Sequence, residues 1–323
     1  MGYNQYMLEE LKNTELVWVD QAQKLREVTS ELAKTDILAV DTESNSLYAY
    51  QEQVCLLQFS TREKDILVDT LALPDLSALA TIFSSDKILK VFHAAEYDLI
   101  CLFRDYGFEF NFLFDTMIAA RTLGYQKIGL GSLLEKYFDI HMNKKYQRAN
   151  WGKRPLKSEM LEYARLDSHF LIPLQEHLRQ ELEDSGRWEI ALEDFRRLTE
   201  NIKDTTESKE SDFWKLRGAR DLTPRQAAVL KSVYEYREMK AEAQDRPPFK
   251  VFSHQALVEI AETRPKTPEE LSKLPSISDR LVSRYGKGLL RAVKEGEKAP
   301  PESPPHLQQP KNAVLDRIDA LRE

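Results

Sequence analysis

Through roughly the first two hundred residues the apolar positions alternate between two periods. Glu15-Leu-Val-Trp-Val19 is a short run of strand formers, and Ala22 to Ala33 places its apolar residues on one helical face. Ile37 to Asp41, Val54 to Phe59 and Asp65 to Val68 follow as closely spaced runs rich in Val, Ile, Leu and Phe, which predicts three more strands. A helix near Leu76 to Phe83 leads into a further short strand, Lys90-Val-Phe-His93, after which helical patterns dominate. Strands and helices interleaved in this way predict an α/β fold, a mixed sheet flanked by helices in three layers and occupying residues 1–200.

Residues 201–211 are polar with few apolar positions, and they read as a linker. Beyond it Thr223-Pro-Arg opens a helix, with Thr as N-cap and Pro at the first helical position. Four or five short helices punctuated by prolines are expected up to about Gly296, giving a small all-α domain over residues 212–298. Ala299-Pro-Pro-Glu-Ser-Pro-Pro305 predicts a stiff, extended spacer within 299–323. Ala228-Val-Leu230 and Arg237-Glu238 recur as Ala313-Val-Leu315 and Arg322-Glu323, which reads either as the start of a truncated second helical repeat or as a chance match between amphipathic helices.

A chain of 323 residues is too long for one ordinary core, so two domains and a tail follow from size as well as from pattern. Composition is that of a soluble globular protein, with no run of about 18 apolar residues that would make the membrane a partner. The start, Met1-Gly-Tyr-Asn-Gln-Tyr6, carries no signal-peptide pattern, and a cytoplasmic location is the expectation. The two cysteines, Cys55 and Cys101, lie in apolar runs and are expected in the core, not in a disulfide or a zinc site. The net charge of −7 divides unevenly: residues 1–209 carry −10 and residues 210–298 carry +4. That division suits an acidic catalytic domain with a weakly basic helper, although +4 is also compatible with an ordinary solvated surface.

The chemistry lies in four carboxylates at three places: Asp41 and Glu43, Asp98, and Asp167. In a strand Asp41 and Glu43 project to one face while Thr42 points away. Many Asp-x-Glu triplets are solvated surface, but this one terminates an apolar strand. Asp98 follows a strand inside an apolar helical pattern, where its neighbour Glu96 competes for any functional role. Asp98 is preferred because a carboxylate among leucines needs a partner. Tyr163 and Asp167, four apart on a helix and about 6 Å along its axis, share a face. A phenol there either packs or orients a water beside a cation. Hard divalent cations take oxygen ligands, and a pair about 3.5–4 Å apart is a common device for cutting phosphodiesters. Between these elements Lys144-Lys-Tyr-Gln-Arg-Ala-Asn-Trp-Gly-Lys-Arg154 interleaves cations with aromatics, which reads as a wall for a single nucleic-acid strand or as a solvated loop anchored by Trp151.

Taken in order, Asp41-Thr-Glu43, His93-Ala-Ala-Glu-Tyr-Asp98 and Tyr163-Ala-Arg-Leu-Asp167 resemble the three motifs of the DEDD exonuclease superfamily, in the branch whose third motif carries tyrosine. Phe114-Asp-Thr-Met117, Lys145-Tyr-Gln-Arg-Ala-Asn-Trp151 and Arg154-Pro-Leu156 extend the likeness to the ribonuclease D family and the related nuclear exosome exonuclease. Residues 210–298 are similar to the HRDC module of the same proteins and of RecQ-type helicases. The resemblance implies a ribonuclease H-like sheet and a 3′-5′ exoribonuclease that uses two Mg²⁺ or Mn²⁺ ions and releases nucleoside 5′-monophosphates. It implies that Asp41 bridges both ions, that Glu43 and Asp167 complete one, and that Asp98 holds the other through water. Tyr163 would position the attacking water, Glu43 would meet the terminal 3′ hydroxyl, and Thr42, His93, Lys144, Lys145, Arg148 and Trp151 would bind substrate. The partner implied is RNA with a free, single-stranded 3′ end, such as a transfer RNA precursor. Protein partners are not specified.

After Glu43 the chain reads Ser44-Asn-Ser-Leu-Tyr48, where the family tends to carry larger aromatic, basic or His residues, so the contacts to the terminal base stay open. Two other readings share these residues. A DNA 3′-5′ exonuclease of the proofreading or Werner type would use the same four carboxylates, and a non-catalytic RNA-binding scaffold would keep the shape without the chemistry.

Overall fold

The computed structural model describes residues 11, 14–200, 202 and 212–304, and the chain divides into two units, 1–208 and 209–323. The expected second repeat and all but one residue of the expected linker lie outside the described residues. In the first unit β1 (Glu15–Val19), β2 (Ile37–Ser44), β3 (Val54–Ser60), β4 (Lys64–Val68), β5 (Leu89–Phe92) and β6 (Leu113–Asp115) form a sheet in the order β1-β4-β3-β2-β5-β6. β3 runs antiparallel to β2 and β4, while β1 pairs parallel with β4, and β5 parallel with both β2 and β6. The mixed sheet is the one expected. β6 escapes the pattern because it is only three residues long and ends in an aspartate.

The helices of this unit are α1 (Ala22–Leu32), α2 (Ala80–Phe83), α3 (Glu96–Tyr106), α4 (Thr116–Thr122), α5 (Leu130–Phe138), α6 (Ser158–His169), α7 (Leu171–Asp184) and α8 (Trp188–Glu200). Buried residues of α1, α2 and α3 pack with Leu38, Val40, Leu57 and Phe59 on one face of the sheet. Those of α4, α5, α7 and α8 pack with Ile37, Ala39 and Val91 on the other. With both faces covered, every residue of the central strand β3 is buried. α6 lies across β2, β3 and β4, where Met160 and Ala164 meet Cys55, Leu56, Leu67 and Trp151.

The alternation of β2 decides where its polar end points. Leu38 and Val40 enter one core and Ile37 and Ala39 the other, so Asp41 and Glu43 continue the second series and Thr42 the first. The strand runs on to Ser44, past the expected end at Asp41, so the carboxylates belong to the sheet itself. Glu43 pairs with Leu56 but Ser44 with Val54, which leaves Cys55 as the extra residue of a bulge. Bulges bend a strand and re-aim its side chains, and this one sits beside Glu43.

The second unit is helical, with α9 (Pro224–Glu242), α10 (His254–Thr263), α11 (Pro268–Leu271) and α12 (Asp279–Lys298). Two of these are long, not short: α9 has 19 residues and α12 has 20. Thr223 caps α9 as expected, and Gln226 completes a capping box with it. α9 and α12 approach so closely that a Cβ on Gly296 would lie 2.5 Å from the Val229 Cα and 2.9 Å from the Ala228 carbonyl oxygen. Both neighbours are backbone and cannot turn aside. Gly296→Ala is therefore expected to push α9 and α12 apart at a cost of about 1–3 kcal/mol. Calorimetric unfolding of the full chain should show a lowered melting temperature for the helical unit, and an unchanged melting profile would contradict the packing described.

Candidate active site

The three acidic segments converge where β2 emerges from the sheet. Asp41, Thr42, Glu43, His93, Lys144, Tyr163 and Asp167 line one cleft of about 550 Å³. Asp98 stands beside it in the first turn of α3, and the Thr42 hydroxyl donates a hydrogen bond to its carboxylate. Glu96, its competitor in the sequence, is exposed on the same helix.

Asp98 reaches this place through an anchored turn. After β5 the chain takes a left-handed step at Ala94 (φ 59°), and the Ala95 N–H donates to Asp115 Oδ2 at 2.7 Å. Asp115 Oδ1 accepts from the Met117 and Ile118 N–H groups at 2.8 and 2.9 Å, capping α4. Thr116 Oγ1 lies 2.9 Å from His93 Nδ1 and 3.1 Å from the Phe92 carbonyl oxygen. The Phe114-Asp-Thr-Met117 stretch is thus the clamp that places Asp98. An Asp directly before a helical run is a readable capping signal, but its second bond, to Ala95, depends on the fold.

α6 carries Tyr163 and Asp167 on its cleft side and is held from behind. Arg165 donates through Nε and Nη2 to Asp65 Oδ2 at 2.9 and 2.7 Å, His169 Nδ1 lies 3.0 Å from both Asp65 oxygens, and Ser60 Oγ donates to Oδ1 at 2.6 Å. Burial alone would raise the Asp65 carboxyl, but hydrogen bonds from His169, Ser60 and Arg165 hold it below the ordinary carboxylate value. Nothing in the sequence spacing marks this buried group of three elements. Nor does it mark Glu52, which accepts from Ser44 Oγ at 2.7 Å, Tyr97 Oη at 2.5 Å and Arg104 Nη1 at 3.1 Å, joining the β2–β3 loop to α3.

The segment after α5 divides in its roles. Lys144 lines the cleft, whereas Lys145 and Arg148 are exposed outside its lining, with the Tyr48 hydroxyl donating to the Arg148 carbonyl at 2.6 Å. Trp151 is 1% exposed and packs under the sheet-facing side of α6 with its ring 6.2 Å from that of Tyr163. It has no face free for a base, so the expectation that it binds substrate directly is corrected: it props Tyr163. Arg154 fixes the end of the segment by donating to both Asp69 oxygens at 2.7 and 2.6 Å and to the Cys55 carbonyl at 2.7 Å.

The electrostatics of the cleft are those of buried carboxylates with no ion-paired neighbour. Among the described residues none of the four carboxylates shares an ion pair. Burial first, then Asp98, Asp167 and Glu43, raise the Asp41 carboxyl well above its usual range, and burial with Asp167 and Asp98 does the same to Glu43. Burial raises Asp98 to about 7 against the opposing Thr42 bond, and burial with Asp98 raises Asp167 to about 7. The Tyr163 phenol is pushed up by burial and by Asp167, Glu43 and Asp41, so it stays protonated. An all-oxygen donor set with unbalanced charge fits hard divalent cations. Among the described residues, however, no three acidic, His or Cys side chains already form a closed metal cage, which accords with mutual repulsion and with Asp98 turned to Thr42.

Comparison with known proteins adds family likeness to this geometry. Residues 16–183 match a 3′-5′ exonuclease family and residues 226–293 an HRDC domain. The chain is 34% identical over 264 residues to the exosome complex exonuclease RRP6 of Saccharomyces cerevisiae, covering 77% of this chain and 36% of that protein. It is 30% identical over 292 residues to ribonuclease D of Nitrobacter hamburgensis, covering 90% of this chain and 76% of that one. The crystal structure of Escherichia coli RNase D, an exoribonuclease involved in structured RNA processing, superposes with a TM-score of 0.72 at 27% identity, over 95% of this chain and 84% of that one. The chain therefore spans about a third of the RRP6 relative but most of the bacterial ones.

A folded-state carboxyl whose pKa is raised holds its proton more tightly than in the unfolded chain. For Asp98 and Asp167 it costs nothing below about pH 4, and the full destabilisation is present once the pH has risen above their folded value near 7; Asp41 and Glu43 are shifted in the same direction. In chelator, Asp41→Asn should thus melt higher than the wild type by about 2–10 °C at pH 8, an effect on the order of 1–3 kcal/mol, with the gap narrowing as the pH falls. Mg²⁺ or Mn²⁺ should raise the wild-type melting temperature at pH 8 and leave the variant nearly unmoved. Equal responses in the two proteins would show that Asp41 is not part of a cation site.

Proposed function

We propose, given that this chain belongs to the 3′-5′ exonuclease family and matches ribonuclease D along most of its length, that it hydrolyses RNA from a free 3′ end and releases nucleoside 5′-monophosphates. The observation that carries the reading is the cleft in which Asp41, Glu43 and Asp167 meet a protonated Tyr163, with Asp98 close enough for its charge to raise the Asp41 carboxyl. Two cations, Mg²⁺ or Mn²⁺, held by Asp41, Glu43, Asp98 and Asp167 would supply Lewis acidity at the phosphoryl group and an activated water.

The chain's own groups do the rest. Tyr163, held by Trp151 and Tyr146, keeps its proton and donates to the attacking water or to a phosphoryl oxygen, fixing the line of attack. Lys144 meets a phosphate at the cleft wall, and Lys145 and Arg148 extend that contact along the strand. Glu43 accepts from the terminal 3′ hydroxyl, which selects ends over internal bonds. A cleft of about 550 Å³ is the size that holds a small ligand, so it suits a terminal nucleotide better than a duplex. The helical unit, with its +4 balance, adds weak contact with backbone phosphates. The substrate we favour is a transfer RNA or other stable-RNA precursor with a single-stranded 3′ extension, processed in the cytoplasm. It rests on the structured-RNA role of the E. coli relative.

The test is a time course on 5′-labelled single-stranded RNA and DNA of one sequence with Mg²⁺ or Mn²⁺. Stepwise shortening of RNA from the 3′ end, with 5′-monophosphate products and resistance of a 3′-phosphorylated end, is expected. Faster loss of DNA would favour the DNA exonuclease. Asp41→Asn should lower kcat on the order of 10³-fold with the circular-dichroism spectrum unchanged, and Tyr163→Phe about 10²-fold. An active Asp41→Asn enzyme would overturn the site.

A further inference from the structure

Gln58 occupies the centre of β3 and is 0% exposed, yet neither its Nε2 nor its Oε1 has a hydrogen-bond partner. Buried carboxamides without partners are rare because the desolvation of both polar groups goes uncompensated. Among the described residues only Trp151 Nε1 and Arg237 Nη1 share that condition, and each is a single donor atom. Gln58 alone leaves both a donor and an acceptor unused.

Its register explains where that capacity points. Gln58 pairs with Asp41 on β2 and with Leu67 on β4. Side chains two apart on a strand share a face, and Ser60, two residues on, meets Ser168 of α6 at 2.8 Å. Gln58 therefore faces α6, on the same side of the sheet as Asp41 and beneath the helix that carries Asp167. Directly opposed residues on neighbouring strands have Cβ atoms about 4.5–5.5 Å apart, within reach of a glutamine amide rotated toward a neighbouring carboxylate.

We propose that Gln58 is a positioning residue for the reaction: its carboxamide N–H donates to the Asp41 carboxylate when divalent cations occupy the cleft, fixing the orientation in which Asp41 holds them. The inference rests on the metal-dependent reading above. Carboxylates that bind metal ions are commonly oriented by a neighbouring hydrogen-bond donor, and losing that donor typically weakens metal affinity or activity 10–100-fold. A glutamine suits this task where lysine or arginine would not, since it orients the carboxylate without neutralising the charge that attracts the cations.

Gln58→Met keeps the side chain's length and removes its hydrogen bonding. Calorimetric titration of the full chain with Mn²⁺ is expected to show affinity about tenfold weaker than the wild type, with kcat lowered about 10–100-fold and KM for single-stranded RNA within twofold. The cation-free variant should melt at or above the wild-type temperature, because it no longer buries an unsatisfied amide. Mn²⁺ affinity and kcat both within twofold of the wild type would overturn the role of Gln58 while leaving the cation site standing. Absence of Mn²⁺ binding by the wild type would overturn the site and this inference with it. A measurement independent of the variant's folding is the Gln58 side-chain NH₂ resonance of the wild type. It should move downfield and exchange more slowly on adding Mg²⁺, and a resonance indifferent to Mg²⁺ would refute the bond.

Discussion

Four carboxylates repel one another at the end of β2, and among the described residues no ion-paired side chain holds them together, so the surrounding fold must. Burial and mutual charge raise Asp41 and Glu43 well above the usual range and bring Asp167 to about 7, while burial with Asp115 nearby brings Asp98 to about 7. A like-charge cluster of this kind would spread if its supports were soft. Each support is accordingly rigid. β2 lies between β3 and β5 in the interior of the sheet, Asp115 clamps the turn before α3, and Asp65 pins α6 through Arg165 and His169. Stability is given up at the cleft and recovered in the surrounding hydrogen bonds, as is usual where a protein must bind charge.

Tyr163 shows how the same field shapes a neutral group. Surrounding carboxylates disfavour the phenolate, so the residue is locked as a donor over the whole physiological range. A base made from this tyrosine would need a cation close by, whereas an orienting role needs none. Its aromatic neighbours Tyr146 and Trp151 restrict the ring, and Arg154 in turn fixes the segment that carries them by its fork on Asp69. The interleaved cations and aromatics of residues 144–154 therefore act at two levels. Lys144 faces the cleft, while Trp151 and Arg154 face inward and hold the wall in place.

Much of this was legible in the chain itself. The strand ending in Asp41-Thr-Glu43, the helical spacing of Tyr163 and Asp167, and the capping pattern at Thr223-Pro-Arg are local signals, and local signals survive in a sequence because period and capping act over a few residues. β6 was not legible, since three residues leave no period to read. Nor was the burial of Trp151, because an aromatic beside cations looks alike whether it stacks on a base or on the protein's own tyrosine. Asp98 is preferred over Glu96 in the sequence because a carboxylate among apolar residues needs a partner, and the structure shows Glu96 exposed while Asp98 meets Thr42.

By itself the amino-acid order determined the alternation of strands and helices, the face that Asp41 and Glu43 share, and an oxygen-rich set of residues suited to hard cations. Tertiary structure decided which of the polar residues are partners. Asp65 with Arg165 and Asp69 with Arg154 are separated by 100 and 85 residues, and strand register sets Gln58 opposite Asp41 across a gap of 17. Such pairs arise from strand register and from the crossing of α6 over the sheet, and neither is encoded in any short window of sequence. Periodicity reports the neighbourhood of each residue along the chain. Only the assembled sheet sets the distances across it, and those distances govern both the charge at the cleft and the groups available to control it.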